Sequence, residues 1–304
     1  MIRTVSMLPA ATEIVAALGL IDQLVGVAHE CDFPPEVNTK PRVTRCEIHE
    51  AGLPSAEIDR WVSEKLHAGE SLYTIDAALL DSFAPQLILT QKLCDVCAPA
   101  YGSVAALAAQ LPSCPRVLNL EPRCLADVLR NIREVAAAMG HADRADRVIV
   151  ELERRITDVV DRVAGLPCPT VFVMEWCSPI FNAGHWTPEL VRLAGGKSVL
   201  TTEGKDSVRA AWEDLRAVDP EILLIACCGH GVERTRQDMP LLESLPGWHD
   251  MRAVRDRRVY LADGSAYFSR PGPRLVDSLE ILATVQHQGA CRSRYPDRGV
   301  VAAY

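Results

Sequence analysis

Short apolar runs, each about four or five residues long, alternate with stretches of helical periodicity along nearly the whole chain. No other feature limits the fold so strongly. Brief, near-continuous apolar runs are strands buried on both faces, and parallel strands need a crossover of about a dozen residues between them, usually a helix. The pattern predicts an α/β class with largely parallel sheets. In the first half the predicted strands are 3–7, 24–28, 42–44, 87–90 and 116–120, with helices over 11–18, 55–67, 76–83 and 100–110. Gly19 is placed to stop the first of these helices, and Pro112 follows the last.

A helix over 124–139, with Leu125, Val128, Leu129, Ile132 and Val135 on one face, is interrupted at Gly140. A second over 142–164 carries Ala145, Val148, Ile149, Leu152, Ile156, Val159 and Val163. At 1.5 Å per residue it would be roughly 34 Å long, long for a crossover inside one domain. Beyond Gly165-Leu166-Pro167 the alternation restarts, with strands at 170–174, 222–226 and 258–261 and helices at 187–194, 212–217 and 274–285. The expected organisation is two Rossmann-like lobes, 1–122 and 166–288, joined by linking helices over 123–165. A mobile tail is expected over 289–304, which has no apolar period.

Composition narrows the function. The 304 residues carry a formal net charge of −8 and no long Lys/Arg run, which argues against nucleic acid or an anionic membrane as the main partner. No apolar stretch approaches the roughly 20 residues needed to span a bilayer. The first residues, Met1-Ile2-Arg3-Thr4-Val5, read as the start of a strand rather than an export signal, and 11 cysteines cannot all pair within one chain. The expectation is a cytoplasmic protein whose cysteines are mainly reduced.

In open α/β sheets ligands bind beyond the carboxyl ends of the strands. The chemically active side chains gather there: His29-Glu30-Cys31-Asp32, Cys94-Asp95-Val96-Cys97, Glu175-Trp176-Cys177, His185-Trp186, Cys227-Cys228-Gly229-His230, and the stretch from Asp263 through Tyr267 to Arg270. Cys46, Cys114, Cys124, Cys168 and Cys291 fall elsewhere and read as structural thiols. A cleft between the lobes is the expected site.

Several segments resemble the periplasmic vitamin B12-binding proteins. They are Val5-Ser6-Met7-Leu8-Pro9-Ala10-Ala11-Thr12-Glu13-Ile14, Ala17-Leu18-Gly19, Val25-Gly26-Val27, Cys31-Asp32-Phe33-Pro34-Pro35 and Pro85-Gln86-Leu87-Ile88-Leu89 in the first half. The second half adds Gly184 to Gly196, Trp212 to Pro220, and Phe268-Ser269-Arg270-Pro271-Gly272-Pro273-Arg274. The resemblance implies two Rossmann-like lobes bridged by one long rigid helix, a small-molecule ligand held between them, and an ABC-transporter permease as the partner of an exported member. The chain is expected to depart from that family in having no export signal and in carrying an extra segment at about 50–73. The helix after Cys94–Cys97 has no docking carboxylate, and the Cys-x-x-Cys and His-x-Cys elements have no counterpart.

The leading expectation is a cobalamin or related corrinoid ligand. His29, Cys31, Asp32, Cys94 and Cys97 would contact it from one side, and Glu175, Trp176, His185, Trp212, Tyr267 and Arg270 from the other. Flat aromatic faces and a few polar anchors suit a macrocycle. A second reading is a metal ion or iron–sulfur cluster on His29, Cys31, Cys94 and Cys97, since Cys-x-x-Cys supplies half of a tetrahedral set. A third is a thiol enzyme using Cys31 or the Cys94/Cys97 pair. Each residue also has a packing explanation: a buried thiol, a loop histidine or a core tryptophan.

Overall fold

β1 (Thr4–Ser6) is buried at every position, as a strand inside a parallel sheet must be. In the computed structural model, which describes residues 1–46, 48, 53–92, 98–291 and 299–304, the chain divides into two units. The first comprises Met1–Leu53, Glu57–Pro122 and Ala126–Val150; the second comprises Pro54–Ala56, Arg123–Leu125 and Glu151–Tyr304.

In the first unit, α1 (Pro9–Ala17) follows β1 directly, with proline in its first turn where a missing N–H costs nothing. β2 (Leu24–Val27) comes next, and then β3 (Thr44–Arg45), α2 (Ser55–His67), β4 (Thr74–Ile75) and α3 (Ala77–Ser82). Asp76 caps α3, its carboxylate accepting the Leu79 N–H at 2.9 Å. β5 (Leu87–Thr90), α4 (Tyr101–Gln110), β6 (Arg116–Asn119) and α5 (Leu125–Ala138) complete the series. The four main strands form a parallel sheet in the order β2-β1-β5-β6. The strand expected at 42–44 is displaced: Thr44–Arg45 pairs antiparallel with Thr74–Ile75 in a separate ribbon, and Arg42 makes only an isolated bridge to Val27.

α6 (Ala145–Val163) buries Ala145, Ile149, Leu152, Val159 and Val163, the face its periodicity predicts. Its residues to Val150 belong to the first unit and those from Glu151 to the second, as expected of the helix that joins the two lobes. At 19 residues it is about 28 Å long, shorter than expected because 142–144 form a 3₁₀ turn ahead of it. Arg144 donates to the carbonyls of Leu18 and Gly19 at the end of α1, meeting acceptors that a helix terminus leaves unsatisfied.

The second unit runs β7 (Thr170–Cys177), β8 (Ile180–Asn182), α7 (Thr187–Leu193), β9 (Lys197–Ser198), α8 (Trp212–Val218) and β10 (Ile222–Ile225). Three short helices follow, α9 (Val232–Arg236), α10 (Met239–Glu243) and α11 (Arg252–Arg255), then β11 (Val259–Ala262), α12 (Leu275–Gln286) and β12 (Val300–Ala302). The sheet order is β12-β11-β10-β7-β8, with β9 also on β7; β7, β9, β10 and β11 are parallel. β12 corrects the expectation of a structureless tail: Val300–Ala302 lies antiparallel on β11. No described helix is long and apolar enough to cross a membrane.

Arg155 of α6 binds two carboxylates of α12, Asp277 at 2.5 Å and Glu280 at 2.9 Å, all three side chains being about nine-tenths buried. Removing one partner of such a group strands buried charge. Arg155→Ala should therefore lower the unfolding free energy by about 3 kcal/mol. Adding Asp277→Asn and Glu280→Gln should recover much of that loss. Urea unfolding followed by circular dichroism tests this, and a change below about 1 kcal/mol, the value of a surface pair, would refute it.

Candidate functional site

Each sheet has a carboxyl edge, and the predicted residues divide between the two. At the first unit's edge, His29 leaves β2 with its backbone N–H and its Nδ1 both on the hydroxyl of Thr44, at 3.0 and 2.8 Å. Its ring lies 5.6 Å from that of Tyr73. Tyr73 belongs to a small apolar cluster with Cys46 and Leu72, against which Trp61 and Val62 of α2 pack. Trp61, Val62, Leu72 and Tyr73, from the segment expected to be extra, are therefore built into a cluster beside His29. Cys31 is buried, its sulfur 3.1 Å from the Thr12 hydroxyl and its carbonyl taken by Arg42. Asp32 is exposed. Cys94 and Cys97 lie outside the described residues. Among the described residues no group of three or more His, Cys, Asp or Glu side chains converges as metal ligands would.

The second unit's edge is more elaborate. β7 carries an irregularity against β8: Met174 faces Asn182 and Trp176 faces Phe181, leaving Glu175 as the extra residue. Bulges re-aim side chains in this way. The Glu175 backbone remains in the sheet, its carbonyl accepting the Cys228 N–H at 3.0 Å. Its side chain accepts the Ser207 hydroxyl at 2.8 Å, and the Ser207 oxygen accepts the Gly184 N–H at 3.0 Å. Gly184 permits the close approach that this chain of bonds needs. A β-carbon there would lie 2.5 Å from the Lys205 carbonyl oxygen and 2.6 Å from the Ser207 nitrogen. Asn182 fastens the same loop, donating to the Leu200 carbonyl and accepting the Val208 N–H.

Beside Glu175 the indole of Trp176 lies 4.9 Å from the His230 ring. Its Nε1 donates to the carbonyls of Ser178 and Ser55, and the Ser55 hydroxyl bonds Asp238. His185 has a left-handed backbone, φ 51°, and places Nε2 3.3 Å from the Asp206 carboxylate. Burial holds this imidazole below its usual pKa, against the opposing pull of Asp206.

Other expected contacts are committed to packing. Trp212 donates to the Pro246 carbonyl and stacks on the fully buried Trp248, with ring centroids 6.1 Å apart. Tyr267 and Arg270 are buried; Arg274 lies over the Tyr267 ring, and Arg270 reaches the Ser265 hydroxyl at 3.3 Å. Cys177 and Cys227 lie in the apolar core with sulfurs 3.4 Å apart. The hydrogen bond from Cys177, and then burial, push the Cys227 thiol well up, away from the thiolate a nucleophile or ligand needs. Ser207 had no sequence signal, since it reaches Glu175 across 32 residues of chain.

Glu175 is half-buried, and among the described residues no cation pairs with it. Burial pushes its carboxyl up to about 7, opposed only by the Ser207 hydroxyl. A carboxyl raised on folding favours the neutral form in the native state. The penalty is absent below the unfolded pKa near 4.5, grows as pH rises toward 7, and is complete above it. Glu175→Gln should therefore stabilise the protein by about 2–3 kcal/mol at pH 8 and be neutral at pH 4. Thermal melts across that range test the sign; a Gln variant no more stable than wild type at pH 8 would refute it. Ser207→Ala should raise the carboxyl further, read by the pH dependence of the carboxylate infrared band.

The comparisons agree with this architecture. Residues 103–266 match the family model described as periplasmic binding protein. An uncharacterized ABC transporter substrate-binding lipoprotein of Bacillus subtilis is 22% identical over 302 residues, covering 97% of this chain and 80% of that protein. The crystal structure of the periplasmic vitamin B12 binding protein BtuF of Vibrio cholerae superimposes with a TM-score of 0.67 at 19% identity, over 93% of this chain and 95% of that one. A periplasmic heme binding protein from Pseudomonas aeruginosa gives a TM-score of 0.70 at 21% identity, over 98% and 94%. With two α/β lobes joined by one long helix and a family match over more than half its length, the chain belongs to the periplasmic binding protein family.

Proposed function

We propose that this protein binds a corrinoid of the cobalamin type at the carboxyl edges of its sheets, as the substrate-binding component of an ABC-transporter-like system. The observation that carries the reading is the second unit's edge, where the re-aimed Glu175 is followed in the chain by the half-buried indole of Trp176, backed at 4.9 Å by the buried ring of His230. Aromatic faces with one or two polar anchors are what a flat, amide-rimmed macrocycle requires. The resemblance of the opening segments to vitamin B12-binding proteins supports the ligand class, as does the fold shared with the Vibrio cholerae protein. The Bacillus subtilis relative supports the transporter context. Heme is the second reading, favoured by the comparable likeness to the Pseudomonas aeruginosa protein.

Titration of the purified protein with hydroxocobalamin should give a saturable change in the visible spectrum and a matching calorimetric heat. Trp176→Ala should weaken binding by about tenfold, the value of one aromatic contact in a desolvated site. No spectral or calorimetric response at tens of micromolar would overturn the corrinoid reading, and a Soret shift on titrating hemin would replace it with heme.

A further inference from the structure

We propose that Glu175 selects among macrocycles by what they carry at the rim, accepting a primary amide and rejecting a carboxylate. This rests on the macrocycle-binding reading above and adds the chemistry by which the site would discriminate.

The geometry leaves Glu175 one role to play toward a ligand. The Ser207 oxygen accepts the Gly184 N–H, and its hydroxyl donates to Glu175 at 2.8 Å. That bond fixes the carboxyl in orientation without neutralising it, because a hydroxyl is a dipole and not a cation. Among the described residues no Arg, Lys or His pairs with the group, although Arg123, Arg192 and Arg252 of the same unit each hold an acidic partner. The β7 irregularity frees Glu175 from the strand alternation immediately before Trp176, whose indole lies 4.9 Å from the His230 ring.

A primary amide suits such a group in either protonation state. Its N–H donates to a carboxylate, and its C=O accepts from a carboxylic acid. A ligand carboxylate suits only the neutral acid and is repelled by the ionised one, with no nearby cation to offset the repulsion. Corrinoids are rimmed by primary amides, whereas hemes carry carboxylates. Glu175 thus favours the corrinoid class on chemical grounds separate from ring shape.

The experiment compares hydroxocobalamin with its monocarboxylic derivatives, in each of which one rim amide is hydrolysed, at pH 8. Wild type should bind at least one derivative about tenfold or more weakly than the parent, a like-charge penalty. In Glu175→Gln that gap should close to within about twofold, because glutamine offers a donor as well as an acceptor. Ser207→Ala, which keeps the acid but frees its orientation, gives a second variant and should narrow the gap. If every derivative binds wild type as tightly as the parent, or if the gap persists in Glu175→Gln, the selection is overturned while corrinoid binding stands. If no corrinoid binds, hemin and hemin dimethyl ester take their place: a wild-type preference for the ester that Glu175→Gln abolishes sustains the selection after the corrinoid reading has failed. Equal binding of acid and ester overturns the selection, and binding of neither overturns both.

Discussion

Parallel strands dispose the rest of this molecule. Each must be re-entered from the same side, so every main strand of a unit delivers its carboxyl end to one edge. The loops at that edge are not slack. Ala226 N–H bonds the Met174 carbonyl, Cys228 N–H the Glu175 carbonyl, and Ser265 N–H the His230 carbonyl, so three successive exits in the second unit are tied together. In the first unit Met7 N–H bonds the Leu89 carbonyl in the same way. Side chains carried by these exits therefore start from fixed backbone.

Against that regular background Glu175 is an irregularity with an energetic cost. A half-buried acid without a cation is unfavourable in its charged form, and the fold keeps it there with a bulge, a glycine that admits a close backbone approach, and a serine hydroxyl. Local costs of this kind concentrate where proteins bind ligands. The contrast with Arg155, Asp277 and Glu280 is instructive: that buried charge is fully partnered and serves to fasten α6 to α12.

The strands were legible because their signal is local. Leu87–Thr90 and Ile222–Ile225 are buried at every position and read as continuous apolar runs. The face of α6 was legible for the same reason, one long period repeated over five turns. What escaped was short or long-range. α9, α10 and α11 have five, five and four residues, too few for a period to emerge. β12 is a strand only because β11 is there to pair with it. Glu175 and Trp176 could be picked out as strand-end residues and stay half-buried, but so could His230, Tyr267 and Arg270, which turn inward and are buried.

The sequence by itself determined the α/β class, the two-lobed organisation, the joining helix and the edge at which chemistry is possible. All of these follow from where apolar residues recur, and burial of apolar surface acts on any chain with that pattern. Only the tertiary structure decided which edge residues are turned to packing and which are set apart. Cys31 went to Thr12, Trp212 to Trp248 and Cys227 to Cys177, while Ser207 came across the sheet edge to Glu175. Those partnerships join residues 19 to 50 positions apart. They depend on distances fixed only when strands, bulges and loops close on one another, which no local pattern encodes.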